Sequence, residues 1–413
     1  MHSSDPDSVM GGDGEQIPVP LESSSHSGVG SVSGDGEQIP VPFVLMRGGT
    51  SKAVFLRAEV LPPPGKARDQ LILSLFGSPD PRQIDGLGGA DLLTSKLAII
   101  GPPGRADADL DYTFAQVSIT EPVVDYDINC GNISAAVAAY AVDEGLVDRS
   151  ADWGDVARVR IHNTNTGRIL GAEVPLRHGR SAVEGPCRVH GVPGAGAPIS
   201  LDFSATAGGI TGSLFPTGNV RDTLATSLGP VEATIMDLAN LTVFFPASAV
   251  DMTGAESPGE FTPEMLGAVS AVKEAASLLM DLDPEGLIPV PALVAPPAPF
   301  VDYGTGATVD AGQVDFLARV VGGRPPVPHK AYPGTLAACT GVAARIPGTV
   351  VAQSLVADPG LDDEIRIGHP SGVMAVGARV HLGPQGWIPD RATYLRTARR
   401  LAEGTAFVRT AVL

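Results

Sequence analysis

The sequence predicts an α+β protein in two halves, each a set of short strands wrapped around one buried helix of small residues. Three observations carry this reading. Two runs, ISAAVAAYAVDEG after Asn132 and LAACTGVAARI from Leu336, are almost wholly small and apolar and lack the polar face of a surface helix. Each is reached through a polar, turn-rich approach: Asp127-Ile128-Asn129-Cys130-Gly131-Asn132 for the first, His329-Lys330-Ala331-Tyr332-Pro333-Gly334-Thr335 for the second. Glycine (50) and proline (37) punctuate short alternating runs, as strands joined by tight turns require. Small residues on a buried helix let a sheet wrap closely. Two such units side by side leave a cleft into which both helix N-termini can point.

Residues 1–40 are predicted to be a disordered tail, because up to about Ser33 they hold Ser, Gly and Asp and almost no large apolar residue. The stretch GDGEQIPVP occurs at Gly12–Pro20 and again at Gly34–Pro42, and the second copy leads into the first strand. Phe43–Met46 and Ala53–Arg57 read as strands joined by the polar loop Arg47–Lys52. Ala67–Phe76 reads as a helix closed by Gly77. A glycine-rich loop, Gln83–Ala90, leads through Thr94 and Ser95 to Lys96, which opens the apolar strand Leu97–Ile100. Tyr112–Ile119 alternates as a strand should. The first small-residue helix takes Asn129 or Asn132 as N-cap and ends near Gly145. Val156–Asn163 and Arg168–Pro175 form a hairpin around Asn165-Thr166-Gly167.

Val192–Pro198 reads as a linker, after which strands begin at Ile199, Thr211–Pro216 and Leu241–Phe245. Thr262-Pro263 starts a helix that runs to about Met280. Val290–Val294 and Val314–Val321 are strand-like. The second small-residue helix starts at Gly334–Thr335 or at Cys339 and stops at Pro347-Gly348. Strands at Thr349–Ala352, Asp363–Ile367 and Val373–Leu382 follow, then a basic helix, Ala392–Ala402, and a last strand, Ala406–Val408.

A net charge of −18 excludes nucleic acid and anionic membrane as natural partners. It leaves an anionic substrate open only if the site is locally positive. No apolar run is long enough to span a bilayer, and the N-terminal residues lack the apolar region of a signal peptide. Cys130, Cys187 and Cys339 show neither a disulfide framework nor zinc spacing, which fits the cytoplasm. GLGGAD lacks the strand–GxGxxG–helix context of a dinucleotide site. No cofactor and no metal is expected, and a homo-oligomer is compatible with the composition.

Cys130 is the first candidate for chemistry. It stands at the mouth of a buried helix, where free N–H groups and the dipole lower a thiol's pKa and hold an anion. The alternative is a small core thiol. Lys96 is the second. Burial at a strand start would lower its pKa and make it a base, whereas a snorkelling surface lysine would do nothing. Arg47–Lys52 suits an anion nest or an ordinary hairpin loop. His162, His329 and His369 form no HxH or HxxxH pattern.

Together, MRGGTSK (Met46–Lys52), QIDGLGGADLLTSK (Gln83–Lys96), DINCGN (Asp127–Asn132), LFPTGN (Leu214–Asn219), AYPGTLAACTGVAARIPGTVV (Ala331–Val351) and IRIGHPSGVM (Ile365–Met374) resemble the PrpF family. The likeness runs from Val41 to the end. It implies a fold similar to diaminopimelate epimerase: two pseudo-symmetric domains, each a rolled, mostly antiparallel sheet around a central helix, with the active site between them. The domains would be residues 41–205 and 206–404, with residues 405–413 returning to the first. The resemblance implies a cofactor-independent isomerase or tautomerase of a small unsaturated di- or tricarboxylate of the aconitate, methylaconitate or oxalomesaconate type. It gives Lys96 and Cys130 as the acid–base pair. Arg47, Thr50, Ser51, Asn129, Gly131, Asn132, Gly334, Thr335, His369 and Ser371 would bind substrate. Where many members carry a lysine, this chain has Pro291-Ala292, so a positive carboxylate ligand is missing there. Two rivals stand beside this reading: a two-cysteine amino-acid epimerase of the same fold, using Cys130 and Cys339, and a non-catalytic carboxylate-binding protein.

Overall fold

The computed structural model describes residues 36–126, 130–147, 154–189, 191–323, 325–357, 360 and 364–412. Residues 36–412 gather into one compact unit that is mostly strand, with few helices.

The strands pair in one continuous series. Ala398–Arg409 pairs with Gln38–Gly48, which pairs with Ser51–Arg57. Then come Lys96–Gly101, Leu110–Val117, Val156–Asn163, Arg168–Arg177 and Ile199–Asp202. The last of these pairs with Gly386–Arg396, where the second half begins. From there the series runs through Gly372–Gly383, Ile365–His369, Phe316–Gly322, Val290–Ala295, Asn240–Pro246 and Gly229–Leu238 to Asp222–Thr226. Read inward from either end, the neighbours are antiparallel, antiparallel, parallel, antiparallel, parallel, antiparallel, antiparallel.

Among the described residues five α-helices attach to this series. α1 (Lys66–Phe76) ends at Gly77 in the left-handed region, and its Leu71, Ile72, Leu75 and Phe76 cover one face of the first-half strands. α3 (Pro263–Leu279) is capped by the Thr262 hydroxyl, which accepts from Met265 N–H, and it covers the corresponding outer face of the second half. α2 (Gly131–Asp143) and α4 (Gly334–Arg345) fill the interior and share one core. Every residue of α2 from Ile133 to Val142 is buried, and so is every residue of α4 from Leu336 to Ala344. Small residues make this possible: a Cβ on Gly341 would lie 2.8 Å from Val376 Cγ2, so no larger residue fits between α4 and its sheet.

Several expectations are corrected. Strand structure begins at Gln38, inside the predicted 1–40 tail, because Gln38–Phe43 pairs with Gly404–Arg409; residues 1–35 lie outside the described residues. Pro40 and Pro42 are tolerated there because the first-half hairpin starts only at Val44, leaving their missing N–H groups on an unpaired side. The N-cap of α2 is Cys130 itself, and Asn132 is the second residue of the helix. Thr349–Ala352 is helical rather than extended: α5 (Val350–Gln353) is capped by Thr349. Thr211–Pro216 is a set of bends, with Ile210 N–H, Thr211 N–H and the Thr211 hydroxyl all donating to Asp237 Oδ2. Ala392–Ala402 is not a helix. It spans the end of one strand, Thr397, and the start of the next, with Ala392, Tyr394, Arg396 and Ala398 buried. Alanine and arginine have high helix propensity, and sheet pairing overrides it here.

Candidate active site at the mouths of two buried helices

Cys130 holds extended backbone (φ −135°, ψ 98°), and its side chain makes no cap bond. Its carbonyl accepts from Ile133 and Ser134 N–H, so the N–H groups of Gly131 and Asn132 point out of the helix end. The half-buried Sγ lies 4.0 Å from Ser51 Oγ. Asn132 ties the mouth to the first loop, its Nδ2 donating to Thr50 Oγ1 at 3.0 Å and lying 3.5 Å from Ser51 Oγ. Two glycines allow that approach. A Cβ on Gly48 would lie 2.3 Å from Asn132 O, and Gly49, at φ +50°, would meet Asn132 Oδ1 at the same distance. Arg47 fixes the loop: its Nη1 donates to Gly49 O and Thr397 O at 2.9 Å and to Thr397 Oγ1 at 3.0 Å. Burial, and then the charge of Arg399, hold the Arg47 pKa below its ordinary value.

Lys96 begins its strand and is 7% exposed. Nζ donates to Gln116 Oε1 at 2.6 Å and lies 5.2 Å from the centre of the Phe114 ring. Gln116 is the residue directly across the strand pair, and its own orientation is fixed. Nε2 donates to Ser95 O at 2.7 Å and to Leu92 O at 3.2 Å, so Oε1 has to face the lysine. The glycine-rich loop is held behind this by buried Gln83, whose Nε2 donates to Ser95 Oγ and Ser78 Oγ while Oε1 accepts from Ala90 N–H. On its other side Lys96 pairs with Ala53. Ser51, two residues earlier on the same face, is the contact of Cys130. Lys96 and Cys130 therefore lie toward the same end of one inner sheet face.

The mouth of α4 adjoins that of α2. A Cβ on Gly131 would lie 3.5 Å from Thr335 Cγ2. Tyr394 is wedged between them: the same Cβ would lie 2.2 Å from its hydroxyl, and one on Gly334 would lie 2.4 Å from its Cζ. Among the described residues the buried Tyr394 hydroxyl has no hydrogen-bond partner. Burial raises its pKa, the Arg396 charge opposes this, and the nearness of Cys130 adds to it. Asn240 Nδ2 donates to Thr335 Oγ1 at 2.6 Å, bringing a further polar residue to the α4 mouth.

His369 and Ser371 belong to the α4 side. His369 is 1% exposed, its Nδ1 accepts from Ser371 N–H, and the Ser371 hydroxyl donates to Lys330 O. Asn129 lies outside the described residues. Cys339 does not reach the mouth. α4 starts at Gly334 with Pro333 as N-cap, so Cys339 is one turn inside, fully buried, its thiol pushed up to about 12 by burial. Among the described residues no group of His, Cys, Asp and Glu side chains could hold a metal ion, and no helix is long and apolar enough to cross a membrane.

Sequence reading missed Gln116, Asn240, Tyr394 and Arg396. All four matter through partners distant in the chain, and no local motif marks them.

The family described as PrpF protein matches residues 38–409. The chain is 47% identical over 380 residues to 3-methylitaconate isomerase of Eubacterium barkeri, covering 90% of this chain and 97% of that one. It is 38% identical over 392 residues to 2-methyl-aconitate isomerase of Shewanella oneidensis, covering 88% and 95%. The crystal structure of a methylitaconate-delta-isomerase superposes with a TM-score of 0.84 at 46% identity, over 91% of this chain and 97% of that one. A hydroxyproline epimerase from Agrobacterium vitis, 11% identical with a TM-score of 0.50 over 91% and 93%, shares the fold alone.

Proposed function

This chain belongs to the PrpF family and is an isomerase, and we propose that it moves a proton within a small unsaturated di- or tricarboxylate of the methylitaconate, methylaconitate or oxalomesaconate type. In this reading Lys96 takes a proton from the carbon next to the double bond. The electron pair spreads into a dienolate. Return of a proton at the far end shifts the double bond, and return at the same carbon after rotation changes its geometry. Cys130 gives or exchanges that proton. The α2 mouth and the cations around it bear the developing charge. The chemistry needs no cofactor.

One observation carries the proposal: a thiol caps α2 at the end of the inner sheet face where Lys96 sits, and the Lys96 amine is held by the neutral Gln116 and Phe114. Neither partner is a carboxylate that would hold the amine in an ion pair away from substrate. The two-cysteine rival loses support at the α4 mouth, where Pro333 caps the helix and Cys339 lies deep inside it.

We also read the halves as pseudo-symmetric domains, residues 41–205 and 206–404 by the sequence boundaries, with the strand Ala398–Arg409 counted to the first because it pairs with Gln38–Gly48 along its length. The repeated order of strand orientations supports this. So does the matching place of α1 with α3 and of α2 with α4 between equivalent strands. Three thiols outside any disulfide fit a cytoplasmic protein.

The test is incubation with methylitaconate, 2-methylaconitate, aconitate and oxalomesaconate in D₂O, followed by NMR. Isomerisation or deuterium uptake in one of them is expected. Tight binding with no exchange would move the protein to the carboxylate-binding reading, and neither binding nor exchange would remove the substrate class.

A further inference from the structure

Arg396 closes the strand Gly386–Arg396, just before the chain crosses through Thr397 into the strand that joins the first half. It is 8% exposed. Nε donates to Asn132 Oδ1 at 2.9 Å, Nη1 donates to Leu395 O at 2.9 Å, and the guanidinium carbon lies 4.5 Å from the centre of the Tyr394 ring. Among the described residues Nη2 has no partner, and no carboxylate lies within ion-pair distance. The acidic groups among the described residues that lie close enough to act on this charge are a phenol and two thiols: Tyr394, Cys187 and Cys130.

Among the described residues the chain holds one other deeply buried arginine that donates only to carbonyl oxygens, Arg319, but Glu256 and Glu260 lie near enough to act on its charge, and no described carboxylate does so for Arg396. The sequence holds 46 acidic residues against 28 basic ones, and its exposed arginines take them readily, as Arg160 does with Asp109 and Arg366 with Asp315. A buried guanidinium with no anion is strongly unfavourable, and arginine does not escape by losing its proton. Its position explains what would repay that state. Through Asn132 it is fixed to the first turn of α2, where the N–H groups of Gly131 and Asn132 point outward, and the Tyr394 ring stops it from swinging away. A rigid cation and a helix N-terminus thus share one mouth, beside Cys130.

We propose that Arg396 and the first turn of α2 together form the seat for one substrate carboxylate, the one nearest the carbon that exchanges its proton. The planar guanidinium suits a carboxylate, and its charge is largest in effect when the dienolate pushes electron density onto that group. This rests on the substrate class proposed above.

The test uses a probe that cannot react, propane-1,2,3-tricarboxylate, with calorimetry and thermal unfolding of the full-length protein. Wild type should bind it. Arg396→Met should weaken binding on the order of 10²-fold, and Arg396→Lys, which keeps charge without the fork, should fall between. Without probe, Arg396→Met should melt no lower than wild type, because an unpaired buried charge has been removed. A role confined to structure predicts the reverse: lowered melting and unchanged probe affinity in the folded fraction. Equal affinity in wild type and both variants overturns the seat at Arg396 while leaving the isomerase reading intact. A wild type that neither binds the probe nor turns over any candidate substrate overturns both.

Discussion

Gly131 and Tyr394 touch across the junction of the two inner helices: a methyl group on Gly131 would lie 2.2 Å from the Tyr394 hydroxyl oxygen. Gly131→Ala should therefore push the α2 mouth and the tyrosine apart. Overpacking of this kind costs about 1–3 kcal/mol, to be read from denaturant midpoints at constant slope, and turnover should fall with it. Tyr394→Phe removes a buried hydroxyl that has no partner among the described residues, so its stability should equal or exceed wild type, and the double variant should recover part of the loss. Additive effects in the double variant would separate the two residues.

Lys96→Met should lower turnover on the order of 10²–10⁴-fold with an unchanged far-UV spectrum. Cys130→Ser should slow exchange less, or stop one of its two steps. Deuterium uptake into recovered substrate distinguishes the two. Near-native uptake in Lys96→Met would move the base elsewhere.

Gln116→Glu puts a carboxylate where the lysine now meets a neutral amide. In the proposed mechanism the amine takes a proton from substrate, and a charged partner at the 2.6 Å contact would hold it in an ion pair instead, so turnover should fall more than substrate affinity. Glutamate also loses the N–H bonds to Ser95 O and Leu92 O. Gln116→Met loses them without adding charge and is the control: an equal fall in both variants would reduce Gln116 to a strut for Ser95 and Leu92.

The Cys339 thiol, pushed up to about 12 by burial, should resist iodoacetamide in the native protein at pH 8, while half-buried Cys130 reacts. Peptide mapping after alkylation reads both. The same shift has a sign for stability. In the unfolded chain this thiol ionises from about pH 9 upward, and in the folded one it stays protonated. Stability is then whole below that pH and declines toward pH 12, by up to about 1.4 kcal/mol per unit from this group. Cys339→Ala should decline less steeply over that range, from a lower starting point.

The parts of the fold that were legible in sequence are those whose cause is local. Gly77 ends α1 because it adopts the left-handed conformation, Thr262 caps α3 three residues ahead of Met265, and Lys96 opens a strand because an apolar run follows it. The Ala392–Ala402 segment was illegible because its alternation is carried by small and basic residues, and its extended form comes from a hairpin partner, Gly372–Gly383, together with neighbours some 190 and 350 residues away. The site divides in the same way. Cys130 is visible from its place before a helix. Gln116 becomes visible only as the residue opposite Lys96, and Arg396 only as the partner of Asn132.

The crossing at Thr397 also sets an order of events during synthesis. Gln38–Gly48 is among the first strands to leave the ribosome, and its long partner, Ala398–Arg409, is among the last. About 350 residues separate them, a delay of roughly 20–70 s at ordinary elongation rates. The first half waits with an open edge while the second half is made, the state in which an unpaired strand is most exposed to wrong pairing. Shortening the chain at its C-terminus would accordingly injure the half that was translated first.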